Sequence, residues 1–231
     1  MEQISAFGDS VLKGVILENN KYKVTQNRFS NTCEETFGIE IENKAKFGST
    51  ILHGEKTIEK NLDLIRESSS KYVIMEFGGN DCDFNWKEVS ENPNIEHLPN
   101  STISDFINIY TQLIKEVKEM QKIPVRLSLP PIDSKKYIKR ISNNLNEENI
   151  LKWMNGNVQF LSNWHERYNI ELFKLALNNN IQIIDITSKF LEEKDYGKYL
   201  CDDGIHPNEE GHKLIARAIK EHINRRNIRF E

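Results

Sequence analysis

The stretch Tyr72-Val73-Ile74-Met75-Glu76-Phe77-Gly78-Gly79-Asn80-Asp81 decides the fold. Six residues rich in aromatic and β-branched side chains run into two glycines and an Asn-Asp pair, the pattern of a buried strand that ends in a tight polar loop. Upstream, Ile4–Phe7 is a shorter run stopped by Gly8-Asp9-Ser10, and Ile39–Ile41 is another, stopped by Glu42-Asn43. Downstream, Ile123–Leu129 ends at Pro130-Pro131, which cannot continue a ladder, and Ile181–Ile186 supplies a fifth strand. Helical patterns lie between them. Ile103, Phe106, Ile107, Tyr110, Leu113, Ile114, Val117 and Met120 recur at helical spacing. Thr50–Arg66 turns Ile51, Ile58, Leu62 and Ile65 inward, although Gly54 weakens its first half. Val158, Leu161, Trp164, Tyr168, Leu172 and Ala176 mark a further helix. Asn208 can cap the last one, with Glu209 and Glu210 at its positive end.

Five strand–helix rounds imply a parallel sheet covered by helices on both faces, so the predicted class is a three-layer α/β/α fold. The common wound order for five such strands is 2-1-3-4-5, and ligands then bind outside the carboxyl ends of the strands. At 231 residues the chain is expected to form one domain, 1–231, with polar insertions near 82–101 and 135–150. The second, Lys135–Glu148, is charged and Asn-rich and is expected to be a surface insertion or lid.

Composition excludes more than it identifies. A net charge of −4 lacks the basic excess of a nucleic-acid binder. No run approaches the roughly 18 apolar residues of a membrane span. The opening MEQISAFGDS has no basic region followed by an apolar stretch, so no signal peptide is predicted and a cytoplasmic location is expected. Cys33, Cys82 and Cys201 are odd in number and widely spaced, which suggests neither disulfides nor a zinc site. No phosphate-binding glycine pattern is present, which weighs against a nucleotide or flavin binder on the same kind of sheet.

The strand ends carry the chemistry. Ser10 follows strand 1, Gly48 follows strand 2, Asn80 follows strand 3, and Asp203 with His206 follows strand 5. A serine hydroxyl is a weak nucleophile until a base takes its proton, and an imidazole oriented by a carboxylate is the usual base. Asp203-Gly204-Ile205-His206 offers both from one turn, with Asp202 as the competing carboxylate. The Ser10 N–H, the Gly48 N–H and the Asn80 amide could meet a developing oxyanion. Each residue alone has a plainer reading: Ser10 as a helix cap, Asp203-Gly204 as a turn, Asp9 and Asp81 as loop-holding side chains, Cys82 as a small packed group. Trp86, Trp153, Met154 and Trp164 are candidates for either pocket or core. His212 and His222 are expected on the surface or face of the last helix, and His53, His97 and His165 lack an organised partner.

Taken together, Phe7-Gly8-Asp9-Ser10, Asn43-Lys44-Ala45-Lys46-Phe47-Gly48, Gly78-Gly79-Asn80-Asp81 and Asp203-Gly204-Ile205-His206-Pro207 resemble the SGNH (GDSL-type) hydrolase family in content and order. The chain departs from it in a long polar loop after Asp81 and in Ala45, where many members have glycine. The resemblance implies a flavodoxin-like fold, nucleophile Ser10, base His206, orienting Asp203, an oxyanion hole from Ser10, Gly48 and Asn80, and ester hydrolysis without metal or other cofactor. The expected partner is a small acyl ester, short-chain or O-acetyl, with lysophospholipase, thioesterase or acyltransferase activity as alternatives. A non-catalytic binding module is the competing class, and oligomeric state is not specified.

Overall fold

The run Ile4–Phe7 lies within strand β1 (Gln3–Gly8) of the computed structural model, which describes residues 2–228 and 230. A single helical turn, α1 (Ser10–Lys13), follows, and then an antiparallel hairpin of β2 (Val15–Glu18) and β3 (Lys21–Val24) that the hydrophobic pattern does not predict. Asn19 and Asn20 turn the hairpin, both at positive φ, as a two-residue primed turn requires. Helix α2 (Phe29–Phe37), β4 (Glu40–Asn43), α3 (Ile51–Glu59), α4 (Leu62–Glu67) and β5 (Tyr72–Glu76) come next. They lead to α5 (Trp86–Glu91), α6 (Ile103–Glu119), β6 (Ile123–Leu127), α7 (Ser134–Ile141) and α8 (Glu147–Trp153). The chain continues through α9 (Phe160–Asn178), β7 (Gln182–Ile184), α10 (Thr187–Leu191) and α11 (Glu209–Arg225).

The large sheet runs β4-β1-β5-β6-β7 with every pairing parallel, which is the order 2-1-3-4-5 for its five strands. Alternation along the strands feeds two cores. On one face Ala6, Val125, Leu127 and Ile184 pack against Phe29 and Cys33 of α2 and Leu214, Ile215 and Ile219 of α11. On the other, Phe7, Val73 and Met75 meet Ile51 and Ile58 of α3, Ile65 of α4, Phe106, Leu113 and Val117 of α6, and Leu172 of α9. Burying each such side chain contributes roughly 1.5–3 kcal/mol. Among the described residues no helix is long and apolar enough to cross a membrane.

Two local expectations are corrected. Thr50–Arg66 is not one helix but α3 and α4, broken at Lys60-Asn61, where the Asn61 side-chain amide donates to the Thr57 carbonyl at 2.7 Å. Gly54 does not weaken α3: a Cβ there would lie 2.4 Å from the Phe77 ring, so the glycine is what lets the helix rest on that side chain. The two polar segments are not loose. Asn85, Asp133 and Asn146 cap α5, α7 and α8 through their side chains. Phe84, Trp86, Val89, Ile138, Ile150, Met154 and Leu161 then bury one another as a third core. Its outer surface carries the charges that make the segments look hydrophilic.

Candidate active site

Asp9 caps α1, its Oδ1 accepting from the Val11 N–H at 2.8 Å, and this turn sets Ser10 as the first helical residue beside the end of β5. The partner comes from the far end of the chain. In the turn before α11, Asp203 Oδ1 accepts from the Ile205 and His206 N–H groups, both at 3.1 Å, and Oδ2 lies 2.7 Å from His206 Nδ1. His206 Nε2 in turn lies 2.9 Å from Ser10 Oγ. The turn needs Gly204: its φ is +77°, and a Cβ would fall 2.6 Å from the Asp133 carbonyl oxygen. Asp203 is fully buried whereas Asp202 is exposed, so Asp203 is the carboxylate that reaches the imidazole. Burial alone would push the Asp203 carboxyl up, but the His206 hydrogen bond and charge, with the two N–H groups, hold it below the ordinary carboxylate value. This arrangement can orient the imidazole with a bare nitrogen toward the hydroxyl, which is what proton removal from serine requires.

Asn80 is brought to the same place, its Nδ2 donating to Asp9 Oδ2 at 3.0 Å and to the Ser49 carbonyl at 3.2 Å. The Ser10 N–H takes no acceptor among the described residues. Gly48 is carried to the same sheet edge, but it is exposed in the turn between Lys46 and Ser49, and it is Phe47 that borders the cavity over Ser10. Asp81 ties these loops together, accepting from the Ile51 N–H at 2.9 Å and from Ser101 Oγ at 2.6 Å. Asp9 and Asp81 thus hold loops. Burial, partly offset by Ser101 and Ile51, pushes the Asp81 carboxyl up to about 7.

Below the site, Glu76 Oε2 accepts from the Asp9 and Leu12 N–H groups, each at 3.3 Å. Burial, reinforced by the Asp9 charge, raises Glu76 well above the ordinary carboxylate value, so the buried pair retains a proton that two anions would not share.

A cavity of about 140 Å³ opens over Ser10, Asn80 and His206. Of the aromatic candidates, Trp86 and Trp164 border it, while Trp153 packs behind against Phe84 and Met154 lies in the third core. Cys82 also borders it, but burial pushes its thiol well up and Sγ donates to the Gly79 carbonyl, as a packed side chain does. His212 is not on the surface: it is fully buried and stacked on Phe29, with burial lowering it to about 4. Sequence reasoning misses Tyr22 of the hairpin and Phe47, whose rings lie 5.2 and 5.9 Å from the His206 ring. It also misses Asp83 and Tyr137 in the wall. The one signal for Tyr22 in the sequence is the Asn-Asn turn between two short runs. Among the described residues no group of three or more His, Cys, Asp or Glu side chains converges as metal ligands would.

Residues 6–214 match the GDSL-like Lipase/Acylhydrolase family, and the chain belongs to it. That family is one of carboxylic ester hydrolases, and the chain is an enzyme of this class. Similar solved structures include a member of the lipolytic protein G-D-S-L family from Veillonella parvula, with 18% identity, TM-score 0.65, and 96% and 98% of the two chains covered. A lipase/acylhydrolase from Enterococcus faecalis aligns at 18% identity and TM-score 0.64 over 98% and 97%. An acetylxylan esterase from Geobacillus stearothermophilus, solved as a catalytic mutant, aligns at 18% identity and TM-score 0.67 over 100% and 95%. At these identities the likeness is one of fold. No curated protein matches the sequence.

Proposed function

We propose that residues 1–231 act as one serine esterase domain in which Ser10 is the nucleophile, His206 the general base and Asp203 the group that orients it. The observation that carries this reading is the continuous chain from Asp203 Oδ2 to His206 Nδ1 at 2.7 Å and from His206 Nε2 to Ser10 Oγ at 2.9 Å. Ser10 Oγ attacks the ester carbonyl carbon as its proton passes to His206 Nε2. The oxyanion is met by the Ser10 N–H and by Asn80, which exchanges its longer contact, to Ser49, for the new anion; Gly48, in its exposed turn outside the cavity lining, is left out of the hole. His206 then gives the proton to the departing alkoxide, leaving Ser10 acylated. A water molecule loses a proton to His206 and attacks the acyl carbon; collapse returns that proton to Ser10 and releases the carboxylic acid.

The substrate is an ester with a short acyl group, acetyl foremost. The similar fold of an acetylxylan esterase supports this reading.

Ser10→Ala tests the assignment. Hydrolysis of p-nitrophenyl acetate is expected to vanish, together with labelling by a fluorophosphonate probe, while the circular dichroism spectrum stays that of the wild type. Turnover equal to the wild type would sink it. Asn80→Ala is expected to lower kcat by roughly 10²–10³, as loss of one oxyanion donor does.

A further inference from the structure

The serine mechanism leaves a buried acid beside the nucleophile turn without a task. Glu76, the last residue of β5, is fully buried, and its Oε2 meets both ends of the turn that carries Ser10. It accepts from the Asp9 N–H, which also donates to the Glu76 carbonyl at 3.1 Å, and from the Leu12 N–H. Gly8 leaves room for it: a Cβ there would fall 3.0 Å from that same oxygen. A carboxyl admitted by a missing side chain and bonded at both ends of one turn holds that turn in place.

The Glu76 and Asp9 carboxyls also hydrogen-bond to each other. Ionised carboxylates only accept, so one of the two carries a proton. The donors around them decide which. Asp9 accepts from the Val11 N–H at 2.8 Å and from Asn80 Nδ2 at 3.0 Å. Glu76 receives its two N–H groups at 3.3 Å, both on one oxygen, and no donor of a described residue reaches Oε1. Negative charge is held best where the donors are shorter, so Asp9 is the carboxylate and Glu76 the acid. Four other titratable groups face the pair: His206 and Asp81 act on Asp9, and Arg126 of β6 and Tyr110 of α6 act on Glu76. Of the last two only Arg126 favours a Glu76 anion, and burial together with the Asp9 charge opposes it.

We infer that Glu76 is a positioning residue that works as the neutral acid: it clamps the nucleophile turn at Asp9 and Leu12 and, through the Asp9 carboxylate, seats Asn80 for the developing oxyanion. Its proton also keeps a second negative charge away from the place where that oxyanion forms, which an ionised Glu76 would oppose. The inference rests on the serine esterase reading and adds to it a residue that acts through Asp9, Ser10 and Asn80, not on the substrate itself.

Two variants test it on p-nitrophenyl acetate. Glu76→Gln keeps an oxygen for the two N–H groups and a donor for Asp9, with no proton to lose; Glu76→Met keeps the length of the side chain and neither function. Glu76→Gln is expected to stay within about twofold of the wild type in kcat, the order of an unperturbed site. Glu76→Met is expected to lose roughly a hundredfold in kcat with KM nearly unchanged, the cost of a reacting group misplaced by about 1 Å. Equal losses in both variants would mean that the anion is what the site needs, and overturn the inference; full activity in Glu76→Met overturns it as well. The infrared difference between the wild type and Glu76→Gln reads the proton directly, even where Glu76→Met does not fold. The carbonyl stretch of a protonated carboxyl is expected above neutral pH, and a carboxylate band in its place overturns the neutral acid. Ser10→Ala separates the two readings: turnover retained there removes the serine assignment, whereas turnover abolished there and unchanged in Glu76→Met removes only the role of Glu76.

Discussion

Ser10, Asn80 and His206 reach the cavity from loops that follow parallel strands, whereas Tyr22, Trp86 and Tyr137 reach it from a hairpin and two short helices outside the large sheet. The first group is placed by backbone: Asp9 on the Val11 N–H, Asp203 on the Ile205 and His206 N–H groups, Asp81 on the Ile51 N–H. The second is placed by side-chain packing, Phe84 lying within 4.9–5.6 Å of the Trp86, Trp153 and Trp164 rings. Hydrogen-bonded backbone tolerates little change, while an aromatic cluster can be refilled with other apolar side chains of similar volume. On the proposed mechanism the floor carries the reaction, and the walls shape what can reach it.

His206→Ala attacks the floor and has the largest expected effect, a loss of roughly 10⁴–10⁶ in kcat on p-nitrophenyl acetate, with the walls and their tryptophan fluorescence preserved. A drop below a hundredfold, set against that scale, would mean that the base lies elsewhere. Trp86→Ala attacks the wall. It is expected to lower stability by roughly 3–5 kcal/mol in urea unfolding, because a large buried side chain leaves a cavity in the third core. If His206→Ala were the more destabilising of the two, the division between floor and wall would fail.

Asp81→Asn probes the tie between loops through pH. The folded-state carboxyl, at about 7, lies above its ordinary value of 3.8, so between those values the native protein holds a proton that the unfolded chain has lost. Stability from this group is present in full below 3.8 and declines as pH rises to about 7. The Asn variant lacks the decline. Its stability relative to the wild type should therefore rise across that window by on the order of 4 kcal/mol, as urea unfolding at several pH values would reveal. A difference independent of pH would place the titration elsewhere. Tyr22→Phe should have the smallest effect, within about twofold in kcat/KM, because the ring against His206 is retained. A larger loss would assign the hydroxyl to the floor.

The same division explains which residues the linear sequence reveals. Ser10, Asn80, Asp203 and His206 each sit where an apolar run or a helix pattern breaks at glycine, asparagine or aspartate, and such breaks survive in one dimension. Tyr22 lies on a four-residue strand with lysines at 21 and 23, too short and too polar to stand out. Helices α5, α7 and α8 have six, eight and seven residues, fewer than the turns needed for a periodic pattern to emerge. Their apolar residues cluster only when the three helices meet. Gly54 reads as a flaw in the sequence because its reason, the Phe77 ring, lies 23 residues away in the chain. His212 reads as exposed for the same kind of reason: Phe29, which covers it, belongs to α2.

The bond between His206 and Ser10 spans 196 positions of the chain. Loop length adds little to the cost of such a contact, about 0.6 kcal/mol per doubling, but the contact also needs the turn after β7 to be seated against β1. A refolding intermediate can thus hold β1, the hairpin and even the whole large sheet, and still carry Ser10 as an ordinary, unreactive alcohol. Recovery of esterase activity should then trail recovery of helical signal, and partly folded forms of the chain would persist as chemically silent species.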